Sequence, residues 1–234
     1  MSVEMMEKRI AEIRASIAEA AQMAGRSPED ITLLAVTKTV PVEHINEAIS
    51  AGVDVIGENR VQEFLQKAEE LLPCHRHFIG TLQSNKAGKL VGKVEMVHSL
   101  SKRSTADALE KACEREDTTL DVLLQVNIGN EDSKDGVAPQ EIESFVKYVS
   151  EMKYLRPRGL MTVPPISEGN VARVYFAKLR ALQEKMKWVS EKSGVSFDQL
   201  SMGMSHDFRE AIMEGATIVR VGTALFGERD HLKI

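Results

Sequence analysis

The run Ile31-Thr-Leu-Leu-Ala-Val-Thr37, followed at once by Lys38 and three residues later by Pro41, decides the fold. It is short, apolar and rich in β-branched side chains, without the polar alternation of a half-exposed strand. That is the pattern of a strand buried on both faces, as parallel sheets require. Pro41 sits where a helix begins, because its missing N–H would be unpaired in a first turn anyway. Ile45, Ala48 and Ile49 then give that helix its apolar face. Upstream, Met6, Ile10, Ile13, Ile17 and Ala20 recur at helical spacing, so a helix is expected over residues 3–24. Gly25 closes it and Ser27-Pro28 turns the chain into the strand.

The alternation continues to the end of the chain. Further strands are expected at 53–56, 76–79, 94–98, 121–127, 157–161, 199–202 and 217–221. Helices are expected at 60–72, 84–91, 102–116, 139–151, 169–193 and 207–214. Strands that alternate with helices argue a parallel sheet. Eight strands in 234 residues argue a closed (β/α)8 TIM barrel, whose usual length is about 250 residues. The competing architecture is an open doubly wound sheet. It would use five or six strands and carry a glycine fingerprint in its first turn, where this chain has Thr37-Lys38-Thr39-Val40-Pro41. The expected organisation is one α/β domain over residues 1–234, with the helix of residues 1–25 packed on the barrel.

Composition limits what such a barrel does. Hydrophobic residues make up 43% and charged residues 28%, which excludes a disordered chain or a disulfide miniprotein. Thirty basic against 35 acidic residues give a net charge of −5, which argues against a nucleic-acid footprint or a polybasic membrane patch. Cys74 and Cys113 are far apart, so free thiols in a reducing compartment are expected. The amphipathic start MSVEMMEKRI has no signal-peptide character, and no apolar run suggests a membrane span. A cytoplasmic protein is expected.

In a barrel, chemistry gathers where strands end. Lys38 follows a run of apolar residues, where an unpaired ammonium is costly to bury. Desolvation lowers a lysine's pKa and makes it a nucleophile that condenses with carbonyls. Alternatively, Lys38 snorkels past the strand end into water. Its strand alone leaves both readings open.

The last two strands add weight to the first. Ser205, Gly222 and Thr223 stand on the loops after strands seven and eight, where barrels frequently bind phosphate. Small residues let backbone N–H groups approach an anion, and hydroxyls add donors. A Schiff-base lysine opposite a phosphate cradle outlines a pyridoxal 5'-phosphate (PLP) site. The bland alternative makes Gly222 and Gly227 simple turn glycines.

The stretches LLAVTK (33–38), IGENRVQE (56–63), HFIGTLQSNK (77–86), VNI…SKDG (126–136), RGLMT (158–162), SMGMSHDF (201–208) and VRVGTALFG (219–227) carry a specific resemblance. Together they resemble the pyridoxal phosphate homeostasis proteins, which are themselves similar to the barrel half of bacterial alanine racemase. One departure is Arg76, where many relatives carry Trp. The resemblance implies that Lys38 holds PLP as a Schiff base and that Ser205, Gly222 and Thr223 hold the phosphate. It also implies that Arg220 faces the pyridine nitrogen and that Asn59 and Met204 line the pocket. A guanidinium stays charged, so it would disfavour protonation of the ring and weaken the ring as an electron sink.

Other signals carry less. His75 and His77 form an HxH pair read as polar residues at a strand's entrance, with Cys74 the only further ligand type at hand. Ser205-His206-Asp207 contains triad residue types, but sequence neighbours do not face one another as a triad requires. Met161 and Met202 are expected in barrel packing. Lys86, Lys134 and the polar loop 129–136 lie near the barrel mouth, with ordinary surface lysine the simpler reading.

Two functions follow. One is a PLP carrier or buffer in intracellular vitamin B6 homeostasis, without efficient catalysis, passing cofactor to apo PLP-dependent enzymes. The alternative is a PLP-dependent amino-acid racemase, which needs an acid/base on each face of the substrate. In the alanine racemase family a tyrosine from a second, β-rich domain supplies the other base. Eight βα units account for nearly all 234 residues, and Tyr148, Tyr154 and Tyr175 fall away from the strand ends. The carrier is therefore expected, as a monomer.

Overall fold

A computed structural model describes residues 3–131, 134–165 and 169–227. Its eight strands are β1 Thr32–Val36, β2 Val55–Glu58, β3 His75–Phe78, β4 Met96–Leu100, β5 Leu120–Gln125, β6 Leu155–Met161, β7 Gln199–Met204 and β8 Ile218–Val221. They pair in sequence order, all parallel, and β1 pairs with β8 to close the barrel. Closure removes both sheet edges, so every strand's backbone groups find partners.

The alternation of side chains along each strand creates two cores. Leu34, Val55, Met96, Leu123, Met161 and Ile218 fill the barrel interior. Ala35, Ile56, Phe78, Val97, Leu124 and Val219 point the other way, into the layer between sheet and helices.

The helices of that layer are α1 Val3–Met23, α2 Val42–Ser50, α3 Val61–Lys67, α4 Ser84–Ala87, α5 Arg103–Arg115, α6 Ile142–Ser150, α7 Gly169–Lys185, α8 Trp188–Ser193, α9 Phe208–Met213 and α10 Thr223–Phe226. α1 buries the predicted stripe of Met6, Ile10, Ile13, Ile17 and Ala20 against α2, α9 and α10. Each of its four larger side chains contributes about 1.5–3 kcal/mol on burial. Arg9 fixes the docking by donating from Nη1 to the Leu225 carbonyl at 3.1 Å, and Arg209 reaches Ser16 Oγ at 2.9 Å. The N-terminal helix thus braces the β7–β8 corner from outside.

Three expected helices differ. The one expected over 60–72 is α-helical only as α3, which ends at Lys67 and gives way to turns over 68–70. Residues 169–193 form α7 and α8 rather than one helix. Between them Met186, Val189 and Ser190 make i→i+3 backbone bonds to Gln183, Met186 and Lys187. This tighter winding turns the buried Met186 and Val189 inward without proline or glycine. The helix expected over 84–91 is α-helical only at Ser84–Ala87. Beyond it, bonds such as Leu90 N–H to Ala87 O continue as turns until Gly92, at φ 73°.

No helix among the described residues is long and apolar enough to cross a membrane. Cys74 and Cys113 are free, and burial raises the pKa of both thiols.

Candidate functional site

Above the apolar interior, the inward positions of β3, β4, β7 and β8 become polar. His77, His98, Ser201 and Arg220 occupy them, all buried. Nη1 of Arg220 donates to Ser201 Oγ at 2.6 Å and Nη2 donates to the Thr162 carbonyl at 2.8 Å. His98 Nδ1 lies 2.9 Å from Ser201 Oγ, and its Nε2 lies 3.0 Å from His77 Nδ1. One chain of hydrogen bonds therefore crosses the barrel from β8 to β3.

Burial dominates the electrostatics of this layer. It holds His77 down to about 4 and His98 well below the usual imidazole range, so both rings are neutral near pH 7. Burial also lowers Arg220, to about 10, which leaves it charged. Arg220 is thus the cation of this hydrogen-bonded series, held by groups that accept from it.

The β7 and β8 ends form a candidate anion cradle. The backbone N–H groups of Gly222 and Ala224 both point at Ser205 Oγ, at 3.2 and 3.3 Å. Thr223 is exposed beside them at the start of α10. Two backbone donors and two hydroxyls at one loop suit a phosphate dianion. Met204, half-buried, pairs with Arg220 in the strand register, and its N–H donates to Asp207 Oδ1 at 2.6 Å. Gly203 adopts φ 89°, and a Cβ there would lie 2.5 Å from Ala211 Cβ. Only glycine lets β7 turn this close to α9.

Lys38 stands on the turn after β1, half-buried, next to Thr39 at φ 61°. Leu34, in the interior cluster, pairs with Arg220 of β8, which brings the first and last strands' functional residues to adjoining strands. Asn59 follows β2, half-buried, and its Oδ1 is a buried acceptor without a hydrogen-bond partner among the described residues. Gly80 opposite it has no room for a side chain, since a Cβ would lie 2.0 Å from the Asn59 carbonyl. An orphaned acceptor, an anion cradle, a buried guanidinium and a lysine thus all stand at the carboxyl-terminal ends of β1, β2, β7 and β8. These residues fit PLP chemically: phosphate, ring nitrogen, a polar ring substituent and aldehyde each find a matching group.

Lys86 and Lys134 are committed elsewhere. Lys86 Nζ reaches Gln62 Oε1 at 3.4 Å, and Lys134 Nζ binds the Pro164 carbonyl and Glu131 Oε1, both at 3.0 Å. Asp132 and Ser133 of the 129–136 loop lie outside the described residues. The HxH pair separates: His75 is exposed and pairs with Glu95 at 2.6 Å, whereas His77 faces the interior. No cluster of three or more metal-ligating side chains occurs among the described residues. Ser205 engages backbone donors while His206 and Asp207 pair with each other at 3.4 Å, so no triad forms. Tyr148 and Tyr175 lie on α6 and α7, and Tyr154 precedes β6. Sequence reasoning missed the His77–His98–Ser201 chain. It also missed Glu58, buried at the end of β2 beside Lys67.

Comparisons with known proteins identify the family and the fold. A family model described as alanine racemase, N-terminal domain, matches residues 9–230. A pyridoxal phosphate homeostasis protein of Aquifex aeolicus is 44% identical over 227 residues, covering 96% of this chain and 98% of its own. Its Escherichia coli K12 counterpart is 38% identical over 234 residues, covering 96% and 97%. Among solved structures, PipY of Synechococcus elongatus PCC7942 with PLP bound superposes with a TM-score of 0.81 at 31% identity, over 95% of this chain and 100% of that one. An alanine racemase of Clostridium difficile 630 shares the fold, with a TM-score of 0.69 at 16% identity over 94% of this chain and 56% of its own. This chain belongs to the pyridoxal phosphate homeostasis protein family, built on the alanine racemase N-terminal domain.

Proposed function

We propose that the protein binds PLP at the barrel mouth and acts in its homeostasis, holding the cofactor as a Schiff base with Lys38. The observation that carries this reading is the pairing of a Ser205–Gly222–Ala224 anion cradle with Arg220 and Lys38 on neighbouring strand ends. When bound, PLP supplies an aldehyde that condenses with an amine and a ring that accepts electrons. Lys38, half-buried on the turn after β1, would provide the amine that holds it. Gly222 and Ala224 N–H, with the Ser205 and Thr223 hydroxyls, hold the phosphate. Asn59 and Met204 line the ring.

Arg220 faces the ring nitrogen on this reading. A buried charged donor there keeps the nitrogen an acceptor rather than a protonated centre. That weakens the ring as an electron sink, which suits retention of PLP over racemisation. None of the three tyrosines stands where a second base would be needed. The carrier works as a monomer in the cytoplasm, in line with two free thiols, and gives cofactor to apo-enzymes.

Spectral titration with PLP tests the site. Wild type develops a visible absorption band that Lys38→Ala lacks, and loaded protein restores activity to an apo PLP enzyme. A wild type that stays colourless with added PLP overturns the reading. Rapid solvent-deuterium exchange at Cα of alanine, abolished in Lys38→Ala, would instead establish a racemase.

A further inference from the structure

Lys38 is bracketed by one ion-paired couple on α3. Lys67 Nζ donates to the carbonyl of Thr37, the residue before Lys38, at 3.0 Å. It also donates to Glu58 Oε1 at 3.1 Å and Glu63 Oε1 at 2.6 Å, which uses all three ammonium protons. Glu63 Oε1 in turn accepts from the backbone N–H of Thr39, the residue after Lys38. Glu58 is tied in from the other side, because Thr37 Oγ1 donates to its Oε1 at 2.8 Å. The couple is well shielded: the side chains of Lys67 and Glu63 are 12% and 18% exposed, and that of Glu58 only 2%.

Thr39 supplies a second, independent observation. Three non-glycine described residues have positive φ: Thr39, Asp117 and Asn130. Asp and Asn tolerate the left-handed region, whereas a β-branched threonine does so only when its surroundings impose it. Here the imposing group is Glu63, one helical turn from Lys67. A network meant only to dock α3 on the barrel would need no grip on this turn. Instead it fixes the peptide groups on both sides of one residue, and so sets where the Lys38 side chain starts from.

We propose that Glu63 and Lys67 are positioning residues for Lys38, holding its backbone so that its amine meets the carbonyl of a phosphate-anchored ligand. This rests on Lys38 being the Schiff-base residue. The couple acts on the covalent step and leaves the phosphate cradle, at the ends of β7 and β8, untouched.

The test compares PLP with pyridoxine 5'-phosphate, which has the same ring and phosphate but an alcohol in place of the aldehyde. Both are titrated into wild type, Lys67→Met, Glu63→Ala and Glu63→Gln, with thermal unfolding recorded alongside. Lys67→Met and Glu63→Ala are expected to lose ~10-fold or more in PLP affinity, equivalent to one 1.4 kcal/mol step, with less than about a 2-fold change for pyridoxine 5'-phosphate. Glu63→Gln keeps an oxygen acceptor for Thr39 and retains most of the preference. Thr39→Gly, which is at ease at positive φ, lessens the loss caused by Glu63→Ala in the double variant. This exposed site keeps the test open if Lys67→Met fails to fold. Equal weakening of both ligands, or no change in either, overturns the proposal. Failure of the underlying reading looks different: Lys38→Ala would then keep the wild-type preference for PLP.

Discussion

Ser201 Oγ stands between Arg220 and His98, 2.6 Å from the guanidinium Nη1 and 2.9 Å from the imidazole Nδ1. One hydroxyl thus serves two buried polar groups. Arginine can only donate, so the hydroxyl oxygen accepts from it and its single proton is free to serve the neutral His98 ring.

Removing that hydroxyl therefore takes the shared partner from Nη1 of Arg220 and Nδ1 of His98. Ser201→Ala is expected to cost about 2–4 kcal/mol, because an unpaired buried group forfeits its solvation without recompense. For a chain of this size each kcal/mol lowers Tm by roughly 2–4 °C. Chemical denaturation of the apo-protein measures the loss; a value under about 0.5 kcal/mol would show that Arg220 repartners freely.

The two histidines predict a pH dependence. Their folded-state pKa values lie below the unfolded value of 6.5, so the unfolded chain binds more protons between pH 6.5 and about 4. Their contribution is intact above pH 6.5 and is lost as pH falls through that window, by up to about 1.4 kcal/mol per pH unit for each ring. Glu58 and Asp207 are shifted up by burial, so they work in the opposite sense and soften the slope at its acid end. His98→Asn, followed by urea titrations from pH 7 to 5, is expected to flatten the dependence. An unchanged slope would place the titration elsewhere.

Phosphate recognition at the cradle has a separable signature. Ser205→Ala removes the oxygen on which the Gly222 and Ala224 N–H groups converge. PLP affinity is expected to fall about 10- to 100-fold, the worth of one charge-assisted hydrogen bond. Binding of pyridoxal, which lacks the phosphate, should be unchanged. Titration of both ligands distinguishes a cradle defect from general damage.

Gly80→Ala probes the close approach at the mouth. Its Cβ would meet the Asn59 carbonyl at 2.0 Å, a backbone atom that cannot swing aside. The variant is expected to lose about 3 kcal/mol, at the upper end for overpacking, and to displace Asn59 from the ring. Thermal unfolding measures the first effect, and the position of the visible PLP band reads the second.

The barrel was legible in the sequence because its strands are buried on both faces and its helices carry apolar stripes. Ile31–Thr37 and the 6–20 stripe are examples. Helix ends were less so: the break between α7 and α8 follows from where Met186 and Val189 find burial, which only the packed structure specifies. Lys38, Ser205 and Gly222 stood out because polar or small residues at strand ends are conspicuous beside apolar runs. His98 and Ser201 did not, although each lies inside a strand, since inward and outward positions cannot be told apart until register is known. Glu63 and Lys67 have the i,i+4 spacing of any surface ion pair on a helix. Their grip on Thr37 and Thr39 depends on how α3 packs over β1 and β2, a long-range relationship with no local signal.

Borohydride reduction of the PLP-loaded protein, followed by peptide mass mapping, tests the central claim most directly. A single phosphopyridoxyl group on the peptide containing Lys38, absent after Lys38→Ala, is the predicted result. A stoichiometric adduct on Lys86, Lys134 or another lysine, with Lys38 unmodified, would contradict it.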